Sequence, residues 1–317
     1  GDDHMDEETF EEGVDGLPGS SLARIYTNLE ALLRADPASA DARRVKWIAA
    51  LRTLGVSITA DDDSLNADFR VTTDGDLGEE DLPIAPGAEA PGVIERDGEI
   101  GLGIRDLAHL VRFAENAGQA IDPAGFGDYA QAKQTINSQL DVDLDADLIG
   151  QLTGNMSASL AIDGGFGLRA QLEDPRAFEG TLEKVADVLP SFAEGAGFGT
   201  VGLSKPGPSE DFYALAQPDG DSVVFGVVGE MLVVATDPAR AGELARGESA
   251  EVPGAEGSVV MSVNAEQLAG ILIEQFGSMF GLGGFGGNLL TAPLGDLNGS
   301  LSATPEELRG RFTLAIE

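Results

Sequence analysis

Five times along the chain a short run of alternating apolar residues ends on an Asn or Asp, and a helical pattern starts at the next residue. The junctions are SLARIYTN at Asn28, EIGLGIRD at Asp106, GLRAQLED at Asp174, MLVVATD at Asp237 and SVVMSVN at Asn264. An Asn or Asp side-chain oxygen accepts from the free N–H groups of a helix's first turn, so each of these residues is a start signal. Before the signal the apolar period is two, as at Ile100, Leu102 and Ile104. After it the period becomes helical, as at Leu107, Leu110, Val111 and Ala114. Pro175 and Pro238 follow their Asp directly, at a helical position where the missing N–H has no partner to lose. The pattern predicts strand–cap–helix units, and it makes the five Asx residues architecture in preference to chemistry.

A second repetition lies in the hairpins. LGVSITADDDSLNADFRVTT (54–73) and LNGSLSATPEELRGRFTLAI (297–316) align without a gap, with Ile58, Leu65, Phe69 and Val71 matching Leu301, Leu308, Phe312 and Leu314. Similarity at fixed spacing points to internal duplication. Hairpins mixed with strand–helix units predict an α+β fold of curved antiparallel sheets with helices packed on one face. The expected organisation is a disordered acidic tail over 1–19, one lobe over 20–152 and a second over 153–317. The Pro-, Gly- and acid-rich stretch 74–92 reads as an exposed loop. The opening GDDHMDEETFEEG has no signal-peptide pattern and reads as a mature or an engineered start.

The formal charge is −36, from 55 acidic and 19 basic residues in 317. Such a surface repels phosphate backbones and disfavours non-specific nucleic-acid binding. It suits solubility or a cationic partner. With no cysteine there is no disulfide framework, thiolate nucleophile or Cys-based metal site. No apolar run reaches the length of a transmembrane helix.

The constellations that could carry chemistry are few. LDVDLDADL (140–148) sets Asp141, Asp143 and Asp145 at alternate positions, an oxygen-rich run of the kind calcium takes. Read as an EF-hand loop it has Ala146 where Gly is needed and Leu152 where Glu is needed. His109, the one histidine outside the first five residues, flanks the apolar stripe of its helix and reads as a boundary residue. No G-x-S-x-G elbow and no H-E-x-x-H motif occurs. GLGGFGG (281–287) follows a helix, whereas the dinucleotide fingerprint joins a strand to a helix. Its surroundings, FGSMFGLGGFGGNLL, are apolar and glycine-linked, and Phe276, Met279, Phe280, Leu282 and Phe285 are the candidates for an apolar lip over a lipid-sized cavity. No residues are singled out for catalysis or for a cofactor.

The stretches ARRVKWIAALRTLG (42–55), GEIGLGIRDLAHLVRFAE (98–115), DLIGQLTGN (147–155) and DFYALAQPDGDSVVFGVVG (211–229) resemble a group of envelope proteins of high-GC Gram-positive bacteria described only as a domain of unknown function. The resemblance covers most of the chain from about Ser20 onward. It implies a secreted or lipid-anchored, extracytoplasmic protein and supplies no functional residues. The leading expectation is a non-enzymatic binding or scaffold protein, in one version a carrier of lipid or another hydrophobic molecule. The alternatives are a cell-surface module for a cationic or wall partner, and an enzyme using carboxylates or a divalent metal.

Overall fold

The protein's computed structural model describes residues 7–96, 98–161, 164–195, 202–204, 212–216, 222–265 and 294–316. Its frame is one antiparallel sheet. The strands are β1 (Ala23–Asn28), β2 (Leu51–Ala60), β3 (Ser64–Thr73), β4 (Glu99–Arg105), β5 (Asn155–Ala161), β6 (Phe166–Gln171), β7 (Gly202–Ser204), β8 (Phe212–Ala216), β9 (Ser222–Val228), β10 (Met231–Ala235), β11 (Val259–Asn264), β12 (Leu294–Ala303) and β13 (Glu307–Ile316). They lie in the order β1-β2-β3-β13-β12-β11-β4-β5-β6-β10-β9-β8-β7, open at both ends. The α+β class and the antiparallel pairing are as expected. The boundary placed at 152/153 falls between β4 and β5, which are hydrogen-bonded neighbours, so the two expected lobes share one uninterrupted sheet.

The helix starts follow the Asx signals. Asn28 accepts from the Ala31 N–H at 2.8 Å and opens α2 (Leu29–Ala35). Asp106 accepts from the His109 N–H at 2.9 Å and opens α4 (Leu107–Ile121), and it holds a left-handed φ of 49°. Asp174 accepts from the Arg176 and Ala177 N–H groups at the start of α6 (Pro175–Gly195). Asp237 accepts from the Arg240 N–H at the start of α7 (Pro238–Arg246). The stripe expected after Asn264 lies outside the described residues from 266 onward.

Three expectations need correction. The acidic tail is not wholly without structure: α1 (Glu7–Val14) packs against the β1–β2 end of the sheet, burying Gly13 and Val14. The 74–92 stretch is not simply an exposed loop: its apolar side chains enter the core while its acids and glycines stay at the surface. Leu82 is 0 % exposed, Leu77 and Ile84 are buried, and all three join Trp47 of α3 (Lys46–Ala50) in one cluster. Composition misled here because few apolar side chains do the burying while the acids around them stay in water. Helices also pack on both faces, not on one. Leu107 and Leu110 of α4 pack on the same Ile104–Met156–Ala170 cluster as Leu232, whereas Ala241 and Leu244 of α7 share a cluster with Val233, the next residue of the same strand. Successive strand side chains point to opposite faces, so α4 and α7 lie on opposite sides. The apolar Val224, Val233 and Phe212 give α7 a local stripe on an otherwise polar face.

The hairpins lie side by side. Leu54 pairs with Val71 in one and Leu297 with Leu314 in the other, the same register at matching positions. β3 and β13 then join antiparallel, with Leu65 opposite Leu314 and Val71 opposite Leu308. Midway between these pairs Asp68 stands opposite Arg311.

Candidate ligand-binding face

Because the strand period is two, each strand divides its side chains between two faces, and the pairing decides which meet. One row of direct cross-strand partners runs Ala23–Ile58–Ala67–Phe312–Gly299–Met261–Leu102–Ala158–Leu168–Val234–Phe225–Tyr213. It crosses twelve strands without a charged side chain, a path of about 50 Å at ordinary strand spacing. A parallel row, from Ile25 through Val56, Phe69, Leu301, Ile104 and Met156 to Val227, is equally apolar.

The aromatic rings are set by glycines in this surface. Phe312 lies over Gly299 and Phe69 over Gly310, where a Cβ would stand 2.5 and 2.3 Å from the ring carbons. The two rings stack with centroids 6.0 Å apart. Each glycine leaves the depression that the neighbouring ring fills.

Among the described residues, the apolar clusters that helices α3 and α4 form with this face lie at one end of it. There α3 and α4 pack on Leu301, Leu308, Val259, Ile104 and Met156. At the other end Leu65 pairs with Leu314 and Leu314 with Leu297, while Ile100 pairs with Leu160 and Leu160 with Phe166. Among the described residues none of these six joins a helix-bound cluster. Leu160 and Ile25 are each 51 % exposed, and Leu65 and Ile316 each 36 %. Large apolar side chains contiguous on one sheet face and open to solvent mark a surface for an apolar partner.

The opposite face is polar and mostly covered. Its corresponding row runs Arg24–Ser57–Asp68–Arg311–Ser300 on one half. Arg311 Nε donates to Asp68 Oδ1 at 2.6 Å, and Arg70 Nε to Glu307 Oε2 at 2.5 Å. Gly101 and Gly103 let the backbone of residues 91–94 lie directly on β4: a Cβ there would meet the Ile94 and Gly92 carbonyl oxygens at 2.9 and 2.6 Å. Ser157 Oγ donates to the same Gly92 oxygen at 2.7 Å. Beneath α7, Arg240 reaches Glu99 with both terminal nitrogens and donates to Ser159 Oγ at 2.7 Å, a buried pair. Arg96 and Glu99 open onto a polar cavity of about 760 Å³.

The expected calcium ligands are not brought together. Asp141 ends α5 (Pro123–Leu140) in a left-handed turn, Asp143 accepts from the Asp145 and Ala146 N–H groups, and Asp145 pairs with Lys133. Among the described residues no three carboxylates or histidines converge as a metal site. His109 Nε2 lies 2.8 Å from the Leu82 carbonyl oxygen, pinning α4 to the core-inserted part of the 74–92 stretch. The apolar-lip candidates Phe276, Met279, Phe280, Leu282 and Phe285 lie outside the described residues. The apolar rows were missed because alternation identifies each strand's apolar side without saying which strands sit together.

No family model matches the chain, and no curated protein matches it. Among solved structures, crystal form III of TP0453 is similar at 14% identity and a TM-score of 0.32, over 70% of this chain and 75% of that one. Crystal form IV of the same protein gives 13% identity and a TM-score of 0.26, over 70% and 74%. Likeness at these scores carries no argument about this chain. Among the described residues no helix is long and apolar enough to cross a membrane.

Proposed function

We infer that the protein is a non-enzymatic, extracytoplasmic binding protein whose apolar sheet face takes up a lipid or another hydrophobic molecule. The observation that carries this reading is the apolar end of the sheet that joins no helix-bound cluster among the described residues, with Leu160 half exposed between Ile100 and Phe166. A soluble chain of formal charge −36 keeps such a surface dispersed in water until a ligand covers it. The scaffold is duplicated in this reading: β1–α2–β2–β3 corresponds to β11–β12–β13. In support, Asn28 pairs with Thr53 and Asn264 with Asp296, at the same distance from the matched hairpin positions.

Two measurements test the binding role. Mass spectrometry of organic extracts from protein purified from its native source is expected to release a lipid or comparable apolar molecule. A fluorescent fatty acid is expected to bind the wild type, and Leu160→Glu with Leu65→Glu to weaken it at least tenfold while the melting temperature stays within a few degrees. Extracts without lipid, together with binding indifferent to both substitutions, would sink the proposal. The charge favours a second reading, a cationic envelope partner, distinguished by binding that falls steeply with salt.

A further inference from the structure

The charge is distributed unevenly. Residues 20–53 carry six basic and three acidic side chains, a net +3 inside a chain of −36. Three of the six, Arg34, Arg43 and Arg52, line a cavity of about 310 Å³ with Glu30, between α2, α3 and the start of β2. Its floor is apolar, formed by Leu33, Ile48 and Leu51.

The arginines are not equally satisfied. Arg34 pairs with Glu30, and Arg52 with Glu30 at 3.5 Å and Asp74 at 3.0 Å. Arg43 has no hydrogen-bonding or ionic partner among the described residues, and its Nε is buried without an acceptor. A chain with 55 carboxylates places none of the described ones within ion-pair reach of this guanidinium. A half-buried cation with an orphaned donor is unfavourable unless something anionic completes it. The planar guanidinium fork matches a phosphate's paired oxygens, and a second arginine beside it adds donors for the rest.

We propose that the Arg34–Arg43–Arg52 cavity is a phosphate-binding site, its apolar floor accepting the carbon body that carries the phosphate. The chemistry is common to a free phosphate compound and a phospholipid head group. The site is separate from the open end of the apolar face, so it stands or falls apart from the carrier reading.

The test is calorimetric titration of the full chain with inorganic phosphate, with dihexanoyl phosphatidic acid and with dihexanoyl phosphatidylcholine. The variants are Arg43→Gln, Arg34→Gln and Arg44→Gln. Arg44 pairs with Asp41 and does not line the cavity, so it reports general surface charge. Phosphate is expected to bind, weakened at least tenfold by Arg43→Gln, weakened also by Arg34→Gln and unchanged by Arg44→Gln. The same dependence for phosphatidic acid, without binding of free phosphate, assigns the site to a lipid head group. Phosphatidylcholine binding that survives Arg43→Gln belongs to the apolar face and leaves the phosphate comparison intact. Should Arg43→Gln fail to fold, Arg34→Gln carries the comparison, since the Arg34 side chain is 71 % exposed. Binding of neither anionic probe, or equal weakening by Arg44→Gln, overturns the proposal.

Discussion

Glu307 and Glu115 show how single residues tie the structure to pH. Burial alone would raise the Glu307 carboxyl, but hydrogen bonds from Arg309 and Arg70 outweigh it and hold the group below the ordinary glutamate range. Burial likewise opposes the Glu115 carboxylate, and Lys133 and Tyr129 overcome it. A carboxyl depressed in the folded state contributes stability above its unfolded pKa of about 4.3, and that contribution disappears as pH falls through the lower folded value. Denaturant midpoints measured from about pH 5 down to pH 2 should therefore fall with acidification. Glu307→Gln should flatten that limb, lowering stability near neutrality while shrinking the acid loss. An unchanged slope would show that the Arg70–Glu307–Arg309 group does not couple to folding.

At the level of elements, α7 is held by apolar contacts through Ala241 and Leu244 and by the buried Arg240–Glu99 pair. Removing Arg240 leaves the buried Glu99 carboxylate only its longer 3.4 Å contact with Arg96, and Arg240→Met should cost up to about 3–5 kcal/mol. Adding Glu99→Leu should restore part of that loss, since a buried pair replaced whole by apolar groups is often nearly neutral. Urea titration of the two single variants and the double variant gives the coupling; strict additivity would mean that the pair is not a unit. The caps at Asn28, Asp106, Asp174 and Asp237 were legible in the sequence because capping is local chemistry. α1 was not, since its burial rests on Gly13 meeting Tyr26 and Gly55 far along the chain. Nor was the role of the 74–92 stretch, where Leu82 packs with Trp47 and accepts from His109 through its carbonyl. The basic bias of residues 20–53 is visible in the sequence, but the isolation of Arg43 belongs to the tertiary arrangement that sets it on the cavity lined by α2, α3 and the start of β2.

For the whole molecule, the strand order is the decisive feature that local pattern does not reach. Period-two alternation shows that Phe69 and Phe312 each face an apolar side; their stacking depends on β3 meeting β13. That meeting joins Asp68 to Arg311 across 243 residues of chain. A version ending before β12 should leave β3, β11 and their apolar sides without neighbours. It is expected to sediment as aggregate where the full chain stays monodisperse; a soluble, cooperatively melting truncation would show that the seam is dispensable. The same seam has a consequence for biosynthesis. At about 5–20 residues per second, the ribosome needs on the order of tens of seconds between finishing the first hairpin and releasing its partner. Through that interval the free edge of β3 is a template for any other extended chain. Proteins of this architecture thus depend on how the nascent chain is guarded as well as on the final pairing, since β13 closes the edge of a hairpin made more than two hundred residues earlier.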